Sequence, residues 1–256
     1  MTTRTTLSDE ERALYSWQID LPFFGEAGQL RLRNATALVS RIGGLGGSIA
    51  FQLAAAGIGR LLLVHGGNLE LSDLNRQILM RYAGLGAPRV ASARTTLAEF
   101  NPHIEVETVN SHIDEANVAA LVSQANIVFG AAPRFRERFL LNRECVLRGI
   151  PLLDAAVFGM EGQLFTVLPG GAPCLACLYP EDPVHWNRRF PVLGAVASLI
   201  ASVAAIEGVK ILTGHPPAAP GVLLYTGAMT MEWRRIPITA RPDCPVCGKR
   251  PEPDLT

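Results

Sequence analysis

The sequence predicts an α/β fold in which a mostly parallel sheet carries helices on both faces. Short apolar runs alternate with stretches of helical length over residues 35–157, the pattern of strands that are buried on both faces. A glycine cluster follows the first apolar run and precedes an Ala/Leu-rich stretch. This is the order of strand, phosphate-binding turn and helix in a Rossmann-like unit.

The elements before and within this region follow from local signals. Ser8 and Glu11 have the spacing of a capping box, which predicts a short amphipathic helix through Trp17. Asn101 and Pro102 stop the helix that begins after Pro88. The predicted strands are residues 35–39, 61–64, 104–109, 126–130 and 151–157, and a further helix is predicted over residues 135–149.

After residue 159 the pattern changes. Residues 163–168 predict a strand, followed by a cysteine-bearing loop and a long helix over residues 192–212. Two short strands, at residues 222–225 and 229–234, are expected to extend the same sheet in antiparallel fashion.

Composition narrows the class of protein. Lys plus Arg and Asp plus Glu both number 23, so the net charge predicts no binding to nucleic acid or to a membrane surface. Residues 192–212 form the longest apolar stretch but contain Ser198, Ser202, Glu207 and Lys210, which favours a buried helix over a membrane span. The polar N-terminus has no apolar signal region, which predicts a cytoplasmic protein.

Four of the five cysteines form two CxxC pairs, Cys174 with Cys177 and Cys244 with Cys247. Two such pairs can complete a tetrahedral zinc site with no open position, so we predict structural zinc. It would fasten the C-terminal segment to the loop before the long helix. The alternatives are redox-active CxxC motifs or unrelated thiols. The fifth thiol, Cys145, is predicted to be an inert core residue.

The chain resembles the ThiF/MoeB/HesA family, the bacterial relatives of ubiquitin-activating enzymes, over nearly its whole length. The segments that carry the resemblance occur in the family's order, and they include "GGLGG", "LSDLNRQIL", "GAPRVASARTTLAEFNPHIEVE", "PLLDAAVFGMEGQLF", "VLGAVASLIASVAAIEGVKILTG" and "CPVCG". The resemblance implies a single domain over residues 1–256. We divide this domain into an N-terminal helical arm (1–34), a nucleotide-binding-type half (35–158) and a zinc-fastened half (159–256).

The resemblance also implies an activity. Family members dimerise, bind Mg-ATP on the glycine loop and adenylate the C-terminal glycine of a ubiquitin-like sulfur carrier, and some then take over the acyl group on a cysteine. Asn75 and Arg76 match positions that contact the triphosphate, and Arg89 matches a phosphate-binding lysine. The matching loop glycines are Gly43, Gly44, Gly46 and Gly47.

The sequence departs from the family where charged groups perform the chemistry. Arg41 replaces the first loop glycine, where its side chain would either enter the nucleotide space or pair with an anion. Pro133 replaces the magnesium-binding aspartate, and no thiol occurs in residues 185–190, where the family has its transfer cysteine. His65, Gly66 and Gly67 stand where the family has its ribose-binding acidic residues. Leu14 and Trp17 stand where the family has the arginines that reach across the dimer.

A different anion site is predicted at the same edge of the sheet. Asp154 ends a predicted parallel strand, where α/β sheets place ligands. Arg134, Arg136 and Arg138 are expected at this edge, and His185, Arg188 and Arg189 on the loop that usually covers the site in the family. We predict an electropositive pocket for a peptide carboxylate or a phosphate that needs no magnesium. The alternative is that residues 134–138 form a solvated helix face.

Three functions are compatible with these residues to different degrees. The favoured one is a divergent or non-catalytic subunit that recognises the C-terminus of a ubiquitin-like or sulfur-carrier protein or peptide, as a homodimer or beside a catalytic paralogue. The alternative is an active ATP-dependent adenylyltransferase with a rearranged site. An NAD-dependent oxidoreductase is disfavoured, since the first glycine and the ribose carboxylate are both missing.

Overall fold

A computed structural model describes residues 4–170, 172–181 and 190–248. An eight-stranded sheet in the order β3-β2-β1-β4-β5-β6-β7-β8 forms its centre. The strands are β1 (Thr36–Ser40), β2 (Arg60–Val64), β3 (Glu105–Val109), β4 (Ile127–Gly130), β5 (Leu152–Phe158), β6 (Glu161–Val167), β7 (Val222–Gly227) and β8 (Glu232–Pro237). Strands β1 to β5 are parallel, and β6 to β8 continue the sheet in antiparallel fashion. The predicted fold class is confirmed.

Helices cover both faces of this sheet. They are α1 (Asp9–Leu14), α2 (Ser16–Ile19), α3 (Gly25–Arg33), α4 (Gly44–Ala55), α5 (Arg89–Phe100), α6 (Val118–Val122), α7 (Phe135–Arg148), α8 (Leu175–Leu178) and α9 (Gly194–Leu212). Helices α4, α5 and α9 bury their apolar side chains in one core cluster, and α6, α7 and α8 bury theirs in a second cluster on the other face. The two-sided burial explains why β1, β2 and β4 are almost continuously apolar.

Several boundaries differ from the prediction. The capping box of Ser8 and Glu11 is present, but the predicted helix through Trp17 is interrupted at Tyr15, which separates α1 from α2. The last strand begins at Glu232 and not at Met229, because residues 228–231 make the turn of the β7–β8 hairpin. Helix α3 lies in the predicted N-terminal helical arm, whereas α6 and α8 lie in segments with too little periodicity to predict a helix.

Helix α9 is long and apolar enough to cross a membrane by length and composition alone. In the fold it packs against α4, β5 and β6, with Ile200, Ala201 and Ala204 fully buried. A core helix meets the same length and composition criteria. The placement agrees with the predicted buried helix.

Candidate functional site

A cavity of about 230 Å³ lies at the carboxyl end of the parallel strands. It is lined by residues that follow β1, β2 and β4, and it sits where the strand order reverses direction, with β2 on one side of β1 and β4 on the other. Open α/β sheets bind ligands at such a switch point. The cavity is therefore the candidate functional site.

The glycine loop is built as the sequence predicts. A Cβ on Gly46 would lie 2.4 Å from the Arg41 carbonyl oxygen, and a Cβ on Gly44 would lie 3.1 Å from Arg76 Cγ. These approaches explain why glycine is needed there. Helix α4 starts at Gly44 with no side-chain cap on Gly43, so its first N–H groups lie at the cavity.

Arg41 does not project freely into the cavity. Its backbone adopts φ of +63°, and its side chain donates from Nε to Glu137 Oε2 at 2.7 Å, while Nη1 lies 2.8 Å from His112 Nδ1. The sequence allowed the Arg41 side chain either to enter the nucleotide space or to pair with an anion. It pairs with an anion, which is the carboxylate of Glu137 in the same chain. Burial raises the pKa of Glu137 even though Arg41 opposes that shift.

Asp73 organises the other side of the cavity, and sequence analysis missed this role. The carboxylate accepts from Arg89 Nε at 3.0 Å, from Gln77 Nε2 at 2.7 Å and from Arg76 Nη2 at 3.3 Å. It also accepts from the backbone N–H of Glu70 at 3.0 Å. Asp73 is the acidic residue in "LSDLNRQIL", which was the signal available in the sequence.

The matched motif residues separate into two groups. Arg41, Gly43, Gly44, Arg76 and Arg89 line the cavity, and their contact with a nucleotide stays a prediction. The other group, Gly46, Gly47 and Asn75, is not among the lining residues that the structure describes. Asn75 is exposed, and its Oδ1 accepts from Arg76 Nη1 at 3.1 Å. Its nearest connection to the site is thus through Arg76.

His65 follows β2 and lines the cavity. Burial, and then the positive charges of Arg89 and Arg41, lower the pKa of His65 to about 3. The imidazole is therefore neutral at neutral pH. Its Nδ1 is buried and has no hydrogen-bond partner among the described residues.

The predicted cluster of residues 134–138 divides. Arg138 is buried and donates to both oxygens of buried Asp154, with its guanidinium over the rings of Phe135 and Tyr179. Arg138 and Arg134 line the cavity. The expectation for Arg136 is wrong: it is exposed and pairs with Glu115 at 2.8 Å, since its position turns it to the outer face of α7. His185, Arg188 and Arg189 lie outside the described residues.

The described carboxylates around the cavity do not fit magnesium, which takes oxygen ligands. Both oxygens of Asp73 and of Asp154 accept hydrogen bonds from arginine or other donors. Glu137 Oε2 accepts a hydrogen bond from Arg41, and Glu137 Oε1 is buried. Glu137 is not among the described residues that line the cavity. The position matched to the family's magnesium ligand, Pro133, offers no side-chain oxygen.

The four CxxC cysteines converge away from this cavity. The Sγ atoms of Cys174 and Cys244 are 3.7 Å apart, those of Cys177 and Cys247 are 3.4 Å apart, and all four lie within 4.8 Å of one another. A tetrahedral zinc site with bonds of about 2.3 Å has edges of roughly 3.8 Å, so the cluster fits a metal. The predicted convergence of the two pairs is confirmed, and Cys145 is buried elsewhere as predicted.

Comparison with known proteins gives consistent matches. A family model described as "ThiF family" matches residues 15–246. Protein HesA, heterocyst, of Trichormus variabilis is 45% identical over 94% of this chain and 91% of that protein. The molybdopterin-synthase adenylyltransferase of Escherichia coli is 36% identical over 95% of this chain and 99% of that protein. The SAMP-activating enzyme E1 of Haloferax volcanii is 36% identical over 92% of this chain and 88% of that protein.

Solved structures share the fold. Escherichia coli MccB superposes with a TM-score of 0.83 at 19% identity, covering 95% of this chain and 74% of MccB. PaaA gives a TM-score of 0.79 at 24% identity, covering 93% and 76%. At this level of identity the likeness extends to the fold alone.

Proposed function

The chain belongs to the ThiF family, and from this premise we propose that it recognises the C-terminal carboxylate of a ubiquitin-like or sulfur-carrier protein or peptide as a divergent, non-adenylating member. The observation that carries the proposal is the chemistry of the cavity. Arginines line it, while no free carboxylate oxygen of the described lining is available for a metal.

The proposed site residues have distinct roles. Arg76 donates to the Ser72 carbonyl oxygen at 2.6 Å, and it shares Asp73 with Arg89 at a longer distance, so its charge is only partly neutralised and attracts a carboxylate. Arg89 and the helix start at Gly43 and Gly44 add positive potential, and Arg41 narrows the nucleotide space. Gly46 and Gly47 keep the loop in place, and Asn75 orients Arg76.

The relatives suggest the partner. Their names include a molybdopterin-synthase adenylyltransferase and a SAMP-activating enzyme, and the MccB structures include complexes with MccA. For this chain we propose a carrier or peptide terminus as the ligand and a dimer, either of two copies or with a catalytic paralogue. We propose zinc as the metal of the cysteine cluster, where it would have a structural role. A cytoplasmic location stays a prediction.

The alternative is an active ATP-dependent adenylyltransferase with a rearranged site. The four retained loop glycines and the placement of Arg76 on the cavity favour it. In that case ATP and Mg²⁺ would have to bind without the side-chain carboxylate that the family uses.

Two assays on the purified chain separate these functions. Calorimetry compares a peptide ending in Gly-Gly with a free carboxylate against the same peptide with an amidated terminus. We expect the free acid to bind and the amide to bind at least about tenfold more weakly, since the arginines lose their anion. Arg76→Ala should weaken binding, whereas Arg81→Ala, which removes an exposed arginine outside the described lining, should not.

Exchange of labelled pyrophosphate into ATP, with a Gly-Gly carrier and magnesium present, tests the chemistry. We expect none. Exchange that Arg76→Ala abolishes would establish the alternative and refute the non-adenylating proposal.

A further inference from the structure

We infer that the cavity also binds a free hydrogenphosphate dianion without a metal. Arg134 is its principal ligand, and Gln77 Oε1 accepts a hydrogen bond from its O–H group. The inference rests on the proposed function only for the location of the site. Each step comes from the charges and the unsatisfied polar atoms of the lining.

Five arginines line the cavity, and their partners leave a surplus of positive charge. Arg41 pairs with Glu137, Arg138 pairs with Asp154, and Arg89 and Arg76 share Asp73. Five guanidinium groups thus meet three carboxylates, and His65 adds no charge at neutral pH. The lining arginines thus outnumber the described carboxylates that pair with them by two, which favours a dianion over a singly charged ion.

Arg134 is the lining arginine that no carboxylate of the described chain neutralises. Its side chain is exposed, and no ion pair or hydrogen bond of the described residues holds it. Its charge nevertheless acts on the site, since Arg134 is among the groups that lower the pKa of Glu137 against the effect of burial. A planar guanidinium without a partner favours an oxyanion.

Two helix N-termini meet at the same cavity. Helix α4 starts after Gly43 and helix α7 starts after Arg134, and neither of these cap residues makes a side-chain capping bond. Both cap residues line the cavity. The partial positive charges of two helix starts therefore add to the arginines.

Gln77 indicates which oxyanion fits. The side chain lines the cavity and is 5% exposed, and its Nε2 donates to Asp73 at 2.7 Å. Its Oε1 is buried and has no partner among the described residues. A carboxylate or sulfate ion only accepts hydrogen bonds, whereas hydrogenphosphate keeps one O–H that can donate to Oε1. The unsatisfied acceptor thus favours phosphate.

Calorimetry of the whole chain at about pH 8 without added metal, with inorganic phosphate, sulfate and methyl phosphate as probes, tests the inference. At this pH sulfate and the phosphate monoester are fully ionised and cannot donate to Gln77, while free phosphate retains a proton. We expect phosphate to bind at least about tenfold more tightly than either of the others. Equal binding of the three anions, or tighter binding of the ester, would overturn the assignment.

Matched variants test the two residues. Arg134→Gln should weaken phosphate binding about tenfold or more, while Arg136→Gln, two residues along but paired with Glu115 on the surface, should leave it unchanged. Gln77→Leu should remove the preference for phosphate over sulfate. Because Gln77 also supports Asp73, Arg134→Gln keeps the test decisive if Gln77→Leu fails to fold. Equal effects of Arg134→Gln and Arg136→Gln, or binding that requires added magnesium, would contradict the inference.

Phosphate binding and peptide binding test the two proposals separately. If the Gly-Gly peptide binds but phosphate does not, only the present inference fails. If phosphate binds without added metal but no peptide terminus does, only the proposed function fails.

Discussion

Arg41 adopts a left-handed backbone conformation that glycine reaches at lower cost. For a residue with a side chain this conformation costs about 1–2 kcal/mol. The ion pair with Glu137 holds the side chain in place, and both groups are largely removed from solvent. Loss of Arg41 would leave a buried carboxylate without its partner, which is more costly than the backbone strain. The pair therefore explains how an arginine persists at a position suited to glycine.

His65 predicts a pH dependence of stability. Its pKa of about 3 in the native state lies below the value of about 6.5 for an unperturbed histidine. Between these values the unfolded chain binds more protons than the native chain. The stability contributed by neutral His65 is thus complete above about pH 6.5 and is lost as the pH falls toward about 3.

Replacing His65 by Asn should reduce this loss by up to about 1.4 kcal/mol per pH unit within that window. Urea denaturation between about pH 7 and pH 4 measures the slope. His103→Asn is the control, because His103 lies outside the described lining and contacts Glu10 near the surface. If the slope of His65→Asn matches the wild-type slope, the buried neutral histidine is not its source.

At the level of elements, the start of α4 predicts unequal effects of two neighbouring glycine substitutions. Alanine normally favours a helix over glycine by about 1 kcal/mol. A Cβ on Gly46 would lie 2.4 Å from the Arg41 carbonyl oxygen, but one on Gly47 would lie 3.3 Å from that of Ile42. Gly46→Ala should therefore be less stable than Gly47→Ala by about 1–3 kcal/mol in chemical denaturation. Equal stabilities would mean that the loop moves aside without cost.

The cysteine cluster links α8 to the segment after β8. The backbone N–H of Arg241 donates to Cys177 Sγ at 3.4 Å, and Asn142 Nδ2 donates to Cys174 Sγ at 3.5 Å. Donors of this kind stabilise metal-bound thiolates, because the sulfur carries negative charge.

Metal analysis by mass spectrometry should find about one zinc per chain. Cys244→Ser should lower the zinc content and the melting temperature, while Cys145→Ala, at a thiol outside the cluster, should keep the zinc even if its buried site becomes less stable. A chain that retains its melting temperature after complete removal of metal by a chelator would contradict a structural role.

For the whole molecule, an exposed apolar groove leads us to predict that two copies of the chain pair through it. Phe23, Leu21 and Ile206 are exposed by 56%, 43% and 59% and line a groove between the N-terminal arm and the outer face of α9. A surface of this kind is characteristic of protein contacts. Size-exclusion chromatography with light scattering should find a dimer that Ile206→Asp weakens at least about tenfold.

Leu147→Asp is the matched control for this substitution. Leu147 is similarly exposed, but it lies on α7, whose buried side packs in the core cluster on the other face of the sheet. A monomeric wild-type chain, or equal dissociation of both variants, would show that this groove does not join two copies.

Local patterns in the sequence were sufficient for most of the fold. Alternating apolar runs and helical stretches predicted the strands and the longer helices, and the CxxC spacing predicted the four-cysteine cluster. These signals are short in range, since periodicity and ligand spacing act within a few residues. Elements of four or five residues, such as α6 and α8, carry too little periodicity to be predicted in this way.

The pairing of charges within the site was decided by the tertiary structure alone. Arg41 meets Glu137 across 96 positions of the chain, and Arg89 meets Asp73 across 16, because the sheet order brings the ends of β1, β2 and β4 together. The sequence by itself determined that arginines and glycines gather at this edge. Only the fold determined how far each arginine of the described lining is neutralised and that Arg134 stands outside their carboxylate pairs, since ion pairs depend on distances that sequence separation does not reveal.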